Sequence, residues 1–504
     1  MNRTQKFALN SITAAMTQIV AMIVGFITPR VMIMTYGSEI NGLVSSLHQF
    51  ISYITLVEAG IGGAAIYSLY KPLAQKDELG ISRIVKAAKK SYFQAGYIFS
   101  TGIFFMALFY GILCSTETLG FWTIFPLALL LGTNGCLNFF LLSGYTVLLT
   151  ADQKNFVIST ITIVQTILRT VIVCGLAYFK TNVVLLYALA LIPLVLRTVL
   201  LLVYCKKNYP YIRSDVVPDK TSLNKRWDVI YQQILGTVQV GAPTVIATVI
   251  LNFAMVSVFS VYNMVLTGIN GVLGIFTSGL PAGFGELIAK NEKETLKKSV
   301  SEFEVAYYYI LTVVYGVTMA MILPFVSVYT KGFTDVNYYY PALAFVIVLN
   351  GLLYNIKTPQ SMLIISAGMY KETRWKVTVQ GVIIIVFGIL LGIPFGLVGI
   401  MIGSCLSNLY RTIDLLYFTP KYITGIKYHV APLRMLRVII TITLIALPAL
   451  ILNVQVDSYL SWVLYAIVFG IYALIITTII TVIFDKKDFL ALCNRVKNMV
   501  FRRK

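Results

Sequence analysis

Six ionisable side chains lie well inside long apolar segments, where a charge at the membrane centre costs at least about 2.5–3.5 kcal/mol. They are Arg30, Arg169, Arg197, Lys357, Glu58 and His48. Charges kept at this cost commonly mark binding or coupling sites. Because four of the six are cations, the set suits an anionic lipid headgroup held by charge-assisted hydrogen bonds and suits an organic cation poorly.

The four cations differ in their predicted depth. At about 1.5 Å per residue, Arg169 lies close to the midplane of its segment, and Lys357 and Arg197 lie toward the inner half. Arg30 is nearer the outer end of the first segment. Arg30 and Arg197 can also extend to an interface or pair locally, which would be a structural role. We predict that all four bind substrate in a cationic cavity, with Arg169 and Lys357 the strongest candidates.

Glu58 and His48 have two explanations each. Glu58 can form a structural pair with one of the arginines, or it can exchange a proton as its solvation changes. His48 can be a hydrogen-bonded polar residue or a proton relay. Asp414 lies three residues after Arg411, which is the spacing of an ion pair on one helix face, so we predict a structural pair there.

The elements that position these residues are transmembrane helices. Of 504 residues, 58% are hydrophobic and only 12% are charged, whereas soluble domains are about a quarter charged. Apolar runs of about 20 residues or more recur along the whole chain, and each is long enough to cross about 30 Å of hydrocarbon. We predict an all-α membrane protein with about 14 transmembrane helices.

The basic residues orient these helices. If the connections alternate between inside and outside, starting inside, 34 of the 40 lysines and arginines fall in inside segments. Only Lys180 and Lys331 fall outside, and the remaining four are the membrane cations. Arg434 and Arg437 are counted in an inside connection. This asymmetry predicts a multi-pass protein with both termini in the cytoplasm. The net charge of +20 therefore reflects topology and anionic membrane lipids, and does not require nucleic acid.

The connections also repeat. A long basic inside loop, a tight polar turn and a basic linker follow spans 2, 4 and 6, and recur after spans 8, 10 and 12. Six spans per copy predict two parallel lobes with a cavity between them and alternating access by rocking. The predicted divisions are an N-lobe at 1–205, a cytoplasmic linker at 206–228, a C-lobe at 229–420, spans 13 and 14 at 421–484, and a basic amphipathic tail at 485–504.

Small residues predict one close helix contact. Gly392 with Gly396, and Gly399 with Gly403, have GxxxG spacing on either side of a turn at Pro394. Glycines at this spacing let two helix backbones approach each other in a membrane. We therefore predict that spans 11 and 12 pack tightly around this turn.

The sequence resembles the polysaccharide flippases. The resemblance rests on Thr28-Pro29-Arg30 at the end of the first span, on Tyr36-Gly37-Ser38-Glu39-Ile40-Asn41-Gly42-Leu43 after it, and on Glu58-Ala59-Gly60-Ile61-Gly62 midway down the second. These Wzx-type O-antigen and capsule flippases belong to the multidrug/oligosaccharidyl-lipid/polysaccharide (MOP) exporter superfamily. The resemblance implies a MATE-like fold of six, six and two helices.

The same resemblance implies an activity. It implies that undecaprenyl-diphosphate-linked oligosaccharide moves from the inner to the outer leaflet of the bacterial cytoplasmic membrane, for cell-surface polysaccharide synthesis. Polysaccharide polymerase machinery is an implied partner, and coupling to H⁺, Na⁺ or the membrane potential is implied in place of a cofactor. The sequence agrees in one respect, because it has no GxxxxGK[ST] nucleotide-binding loop.

Two other functions stay open. An ion-coupled drug exporter of the same superfamily would favour acids over bases in its cavity, which is the reverse of the pattern here. A non-transporting scaffold of polysaccharide assembly is the other alternative, because nothing in a sequence proves turnover. We predict no catalytic residues, no metal site and no enzyme activity, because the outside acids lie in separate loops and the six cysteines form no CxxC pair.

Overall fold

The computed structural model describes residues 3–116, 119–212, 215–218, 227–277, 280–452 and 454–501. Within these ranges the chain consists of α-helices with short 3-10 and π turns, and no β-strand occurs in them. Part of the predicted linker 206–228 and the last three residues of the predicted tail 485–504 lie outside the described residues. The predicted all-α class is confirmed.

The chain divides into two compact units, residues 1–241 and 242–504. The helices of the first unit are α1 (Arg3–Tyr36), α2 (Ser38–Thr55), α3 (Ile61–Gln75), α4 (Glu78–Leu113), α5 (Phe121–Leu137), α6 (Ser143–Ala151), α7 (Asn155–Tyr178), α8 (Val183–Leu189) and α9 (Ile192–Asn208). The next helix, α10 (Trp227–Ile250), contains the boundary between the units.

The second unit contains the remaining helices. They are α11 (Phe253–Thr277), α12 (Leu280–Ala289), α13 (Lys293–Tyr329), α14 (Pro341–Ile356), α15 (Thr358–Ala367), α16 (Tyr370–Thr419), α17 (Val430–Ile451) and α18 (Tyr459–Phe501). The predicted tight turns are present, since α6 and α7 are separated by three residues and α15 and α16 by two.

Twelve helical segments of the described residues are long and apolar enough to cross a membrane. In addition, α2 and α3 meet at a bend of 43° and together meet the same test as one broken span. One of the twelve contains α16, whose 50 residues would extend about 75 Å as a straight helix, more than twice the hydrocarbon thickness. Therefore α16 must contain more than one membrane span.

The division falls at Gly396. Its φ of 58° and ψ of −138° are outside the helical region, and glycine tolerates them because it has no Cβ. The two arms then pack against each other, since a Cβ on Gly403 would lie 2.5 Å from the backbone nitrogen of Gly388. The predicted close contact of spans 11 and 12 is confirmed. With α16 counted as two arms, the described residues form about fourteen spans, and the chain is a multi-pass membrane protein.

In the first unit, contacts near both ends of α1 connect segments that the sequence assigns to the same side. At one end, Lys6 Nζ pairs with the Asp152 carboxylate at 2.8 Å. At the other end, the Tyr36 hydroxyl donates to the Thr181 carbonyl oxygen at 2.6 Å. The helices α1 and α7 pack along each other between these contacts. The predicted alternation of connections in this unit therefore fits its three-dimensional arrangement.

Asp152 lies between α6 and α7, outside the spans, and receives several donors. Lys6 and Lys154 each pair with it at 2.8 Å, and the Tyr209 hydroxyl donates to it at 2.7 Å. Burial raises the pKa of the Asp152 carboxyl, but the hydrogen bonds from Lys154, Lys6 and Tyr209 outweigh burial and hold this pKa below its ordinary value. The charged carboxylate therefore stabilises the fold.

We expect Asp152→Asn to lower the free energy of unfolding by about 1–2 kcal/mol at pH 7, because hydrogen bonds to a charged group are lost. A carboxyl whose pKa is lowered by folding stabilises above its unfolded pKa of about 4, and this contribution is lost as the pH falls through the folded-state pKa. Thermal unfolding of wild type and variant should therefore differ most at pH 7 and differ less toward pH 3. An equal difference at both pH values would contradict the assignment.

In the second unit, α13 is the central helix. It packs against α17 and α18 and also contacts α14, so the two spans that lie outside the predicted repeat are bound to the second unit. Its core side chains, including Leu311 and Tyr315, are fully buried. On the other side, α14 packs against α16, and α12 packs against α15. The consecutive helices α14 and α15 therefore pack mainly against different neighbours.

Candidate functional site

The first unit contains a polar cavity of about 170 Å³ between α2, α5, α7, α8 and α9. Two of the predicted site residues, His48 on α2 and Arg169 on α7, line it together. Gln165 precedes Arg169 by four residues, so both lie on the same face of α7. The remaining polar side chains that line the cavity are Thr55, Asn134, Asn138 and Tyr187.

Local backbone geometry helps to form this cavity. After α5 the chain makes a π turn over Asn138–Leu142, in which each backbone hydrogen bond spans one residue more than in an α-helix. Such turns occur frequently at functional sites. The Asn138 side-chain amide donates to the Asn134 side-chain oxygen, Oδ1, at 3.4 Å. None of the residues that line the cavity is an aspartate or glutamate, so the Arg169 guanidinium makes its electrostatic character positive.

The other predicted site residues of this unit do not line the cavity. Arg30 is half-buried on α1, next to Pro29. Arg197 is partly buried on α9, one turn after Leu194, which does line the cavity. The Nε atom of Arg197 is buried and has no hydrogen-bond partner within the described part of the chain. The structure thus brings Arg169 and His48 together in one cavity, which Arg30 and Arg197 do not line.

Glu58 lies at the bend between α2 and α3. It ends the 3-10 turn Leu56–Glu58, and Gly60 two residues later has a left-handed φ of 79° that starts α3. Its charge is close enough to act on the Tyr92 hydroxyl group. Among the residues that the structure describes, Glu58 makes no ion pair. The predicted pairing with an arginine is therefore not seen in this region.

In the second unit, Lys357 lies at the break between α14 and α15. Pro359 has no N–H and cannot donate to the carbonyl oxygen of Asn355, four residues earlier, so the helix ladder is interrupted there. The Tyr307 hydroxyl donates to this oxygen instead, at 3.2 Å. The Tyr308 hydroxyl donates to the Ile356 carbonyl oxygen at the same distance. The break is thus stabilised by two tyrosines of α13.

Lys357 itself is buried, with 6% of its surface exposed. Its ammonium group donates to the Asn408 side-chain oxygen on α16 and lies 4.9 Å from the centre of the Tyr354 ring. The Asn408 amide donates in turn to the Asn350 oxygen at 2.9 Å. Lys357 has no carboxylate within ion-pair distance among the described residues. A charged lysine in this position is therefore held by amide and aromatic groups alone.

Known structures share this arrangement of helices, whereas no family profile and no curated protein sequence matches the chain. A multidrug resistance MATE family transporter of the MOP superfamily, in an inward-facing conformation, matches with a TM-score of 0.62 and 14% identity, over 86% of this chain and 99% of the other. The lipid II flippase MurJ, inward closed, matches with a TM-score of 0.59 and 14% identity, over 94% and 99%. The chain has the fold of the MATE and MurJ transporters.

A third structure extends this comparison. It is a MOP superfamily transporter from Pyrococcus furiosus Vc1, for which a reversed polarity of the binding pocket was found to suggest a different function. It matches with a TM-score of 0.50 and 13% identity, over 85% of this chain and 96% of the other. At these identities the comparisons establish a MATE/MurJ-like fold, and the chemistry must come from the residues of this chain.

A second basic residue, Arg411, lies near Lys357, but its charge is neutralised by a carboxylate. Arg411 is buried on α16 and pairs with Asp414 at 2.5 Å, as predicted from their spacing. Asp414 also pairs with Lys376 at 2.5 Å. The pairing of Arg411 and Asp414 is confirmed as structural. Lys357 differs from Arg411 and Lys376 because it forms no ion pair with a carboxylate of the described residues.

Sequence analysis missed a larger charged network in this fold. Arg434, counted there in an inside connection, is buried on α17, which begins at Val430. Its guanidinium pairs with Glu304 at 2.9 Å, Asp488 at 2.7 Å and Asp485 at 3.2 Å. The partners of Arg434 lie far from it in sequence. The only pattern that could have indicated the network was the i, i+3 spacing of Asp485 and Asp488, which places both carboxylates on one helix face.

Glu304 connects this network to the break between α14 and α15, where Lys357 lies. Its carboxylate accepts a hydrogen bond from the Gln360 amide on α15 at 2.9 Å, and Gln360 lies within hydrogen-bond distance of the Tyr308 hydroxyl. Tyr308 is one of the two tyrosines that hold the end of α14. In this MATE/MurJ-like fold the appended helices α17 and α18 therefore support the segment that positions Lys357.

Proposed function

We propose that this protein is a flippase that moves undecaprenyl-diphosphate-linked oligosaccharide from the inner to the outer leaflet of the bacterial cytoplasmic membrane, for cell-surface polysaccharide synthesis. The observation that carries the proposal is Lys357, a membrane cation that is buried beside amide groups and has no carboxylate partner in the described residues. We further propose that both termini are cytoplasmic and that transport proceeds by alternating access.

The physical argument starts from the cost of burying Lys357. A buried ammonium group without a counter-charge is destabilising by several kcal/mol unless other groups compensate it. The Asn408 oxygen supplies one hydrogen bond, but it carries no full negative charge. A diphosphate would supply the missing charge, and its oxygens are strong acceptors for lysine and arginine. A site of this kind favours an anionic substrate over a cationic one.

The cavity of the first unit supports the same polarity. Arg169 and His48 line it without a carboxylate, and the amides of Gln165, Asn134 and Asn138 are suited to hydrogen-bond hydroxyl-rich groups such as sugars. Each unit by itself therefore presents a basic side chain together with neutral hydrogen-bonding groups. This combination corresponds to the two chemical parts of a lipid-linked oligosaccharide, a diphosphate and a glycan.

Proteins of similar fold also support transport of this type. MurJ is a lipid II flippase, and the MATE proteins include multidrug resistance transporters. The Pyrococcus furiosus transporter indicates that the polarity of the binding pocket can differ within the superfamily. The cations of this chain suit an anionic substrate better than an organic cation, so they favour the flippase over the drug exporter. Glu58 favours export of a cation instead, since its carboxylate has no ion-pair partner among the described residues.

A reconstitution experiment tests the proposal. The purified protein is placed in liposomes with a fluorescent undecaprenyl-diphosphate oligosaccharide, and the fraction of headgroup protected from a membrane-impermeant reagent is measured with and without a membrane potential or a proton or sodium gradient. We expect protein-dependent exchange between leaflets. If folded protein moves an organic cation and leaves the lipid-linked substrate in place, the exporter is correct and the flippase proposal fails.

Arg169 gives a residue-level prediction for the same assay. We expect Arg169→Met to reduce lipid transport by about tenfold or more, because one charge-assisted bond to the diphosphate is lost, and Arg169→Lys to retain part of it. Arg83→Met, which removes an exposed arginine of α4, is the matched control and should transport normally. Normal transport by Arg169→Met would assign Arg169 a structural role.

A further inference from the structure

A second binding groove lies in the first unit, apart from the cavity that contains Arg169. It has a volume of about 710 Å³ and is formed by the first half of α4, by Tyr145 on α6, and by the end of α9 with the residues that follow it. Four lysines line it: Lys86, Lys89 and Lys90 on α4, and Lys206 on α9. No aspartate or glutamate is among its lining residues.

One acidic side chain close to the groove, Asp152, is already engaged. Tyr209 lines the groove, but its hydroxyl donates to Asp152, whose carboxylate also pairs with Lys6 and Lys154. Within the residues that the structure describes, Lys89, Lys90 and Lys206 form no ion pair with a carboxylate. These three lysines therefore bring positive charge to the groove without a carboxylate partner in the described residues.

The geometry of α6 sets the position of Lys89. A Cβ on Gly144 would lie 2.5 Å from Cγ of Lys89, so the lysine stem crosses α6 where the glycine leaves room for it. Its ammonium group then lies 4.0 Å from the centre of the Tyr145 ring, within the range of a cation–π contact. Lys89 is thus held inside the groove and does not extend freely into solvent.

An aromatic wall continues from the lysines along α4. Phe93 lines the groove, and its ring is 4.9 Å from that of Phe140 and 5.2 Å from that of Tyr97. Phe93 is 45% exposed and Tyr97 60% exposed, although both are on a predicted transmembrane helix. The groove therefore has a basic end and an apolar side that follows the direction of the span.

We propose that this groove binds an anionic phospholipid, with its phosphate among Lys86, Lys89, Lys90 and Lys206 and its acyl chains along Phe93 and Tyr97. Basic pockets between membrane helices on the cytoplasmic side are suited to anionic lipid headgroups, and the positive-inside count predicts that side for this end of α4. The site is separate from the proposed transport site and does not depend on the transported substrate.

The experiment measures lipid binding to the purified full-length protein in detergent by native mass spectrometry. Cardiolipin and phosphatidylglycerol are titrated and compared with phosphatidylcholine, which has the phosphate but no net charge. The test variant is Lys89→Gln/Lys90→Gln/Lys206→Gln. The matched control, Lys71→Gln/Arg83→Gln/Lys207→Gln, removes the same charge from exposed residues of the same unit that do not line the groove.

We expect the test variant to bind the anionic lipids on the order of 100-fold more weakly, since each lysine contributes about fivefold, and the control to bind like wild type. Gly144→Ala keeps every charge but displaces Lys89, and should weaken binding by about fivefold. Equal losses in both triple variants would show diffuse surface charge and overturn the site. The lipid assignment would be overturned if the protein bound inorganic phosphate but no anionic lipid. It would also be overturned if phosphatidylcholine bound as tightly as the anionic lipids.

Discussion

Replacing Lys357 with methionine is expected to reduce transport of the lipid-linked substrate on the order of 100-fold and to leave the fold intact. A charge-assisted bond in a site of low dielectric is worth about 3 kcal/mol, which corresponds to this factor. Methionine has a similar shape and carries no charge, so Lys357→Met also removes the cost of burying an ammonium group. The apparent unfolding temperature should therefore stay the same or rise.

Two further variants separate binding from structure at Lys357. Lys371→Met removes an exposed lysine at the start of α16 and should transport normally. Asn408→Asp gives Lys357 an internal carboxylate in place of the amide that it now contacts, so it should stabilise the protein and still impair transport. If both Lys357→Met and Asn408→Asp transport at the wild-type rate, Lys357 is structural and the proposed function loses its main support.

Much of the fold could be predicted because membrane segments follow simple rules. Length and apolarity determine where helices can cross, and the distribution of lysine and arginine assigns each connection to a side. Local patterns were equally informative: the glycines around Pro394 predicted a close contact of two spans, and the spacing of Arg411 and Asp414 predicted an ion pair. Each of these signals lies within one helix or one turn of the sequence.

The site was predicted only in part, because its contacts join distant segments. The sequence identified Arg169 and His48 as charged or polar residues in apolar spans, but only the structure shows them in one cavity. It could not show that Asn408, 51 residues after Lys357, is the partner of this lysine. The break at Lys357 was visible in Pro359, yet its support by tyrosines of α13 depends on packing that no sequence period reveals.

The network around Arg434 was missed for a different reason. Polar residues at the start of α17 resembled a loop, so the span was expected to begin after Arg437. In the structure, Glu304 and the two aspartates of α18 compensate the charge of Arg434, which allows the helix to start eight residues earlier. A hydropathy count cannot detect such compensation, because it treats each charge as if it were alone.

Arg434→Met should destabilise the protein by about 3–5 kcal/mol, because it leaves the buried Glu304 carboxylate without its partner. Arg437→Met is the matched control. Arg437 is more exposed and pairs only with Asp485 in the described residues, so its loss should cost about 1 kcal/mol or less. Glu304→Gln combined with Arg434→Met should recover part of the loss, since the uncompensated charge is then absent.

The consequences of Arg434→Met should reach the C-terminal tail. Asp485 has a non-helical φ of −128° and ψ of 32°, which marks the kink where the predicted tail begins, and Arg434 binds Asp485 and Asp488 on this segment. Thermal unfolding in detergent measures the stability of each variant, and limited proteolysis measures the release of the tail. We expect faster cleavage after Asp485 in Arg434→Met than in Arg437→Met. Equal stability and equal cleavage would mean that Arg434 does not hold the tail to α17, because removing Arg434 would then have no more effect than removing the more exposed Arg437.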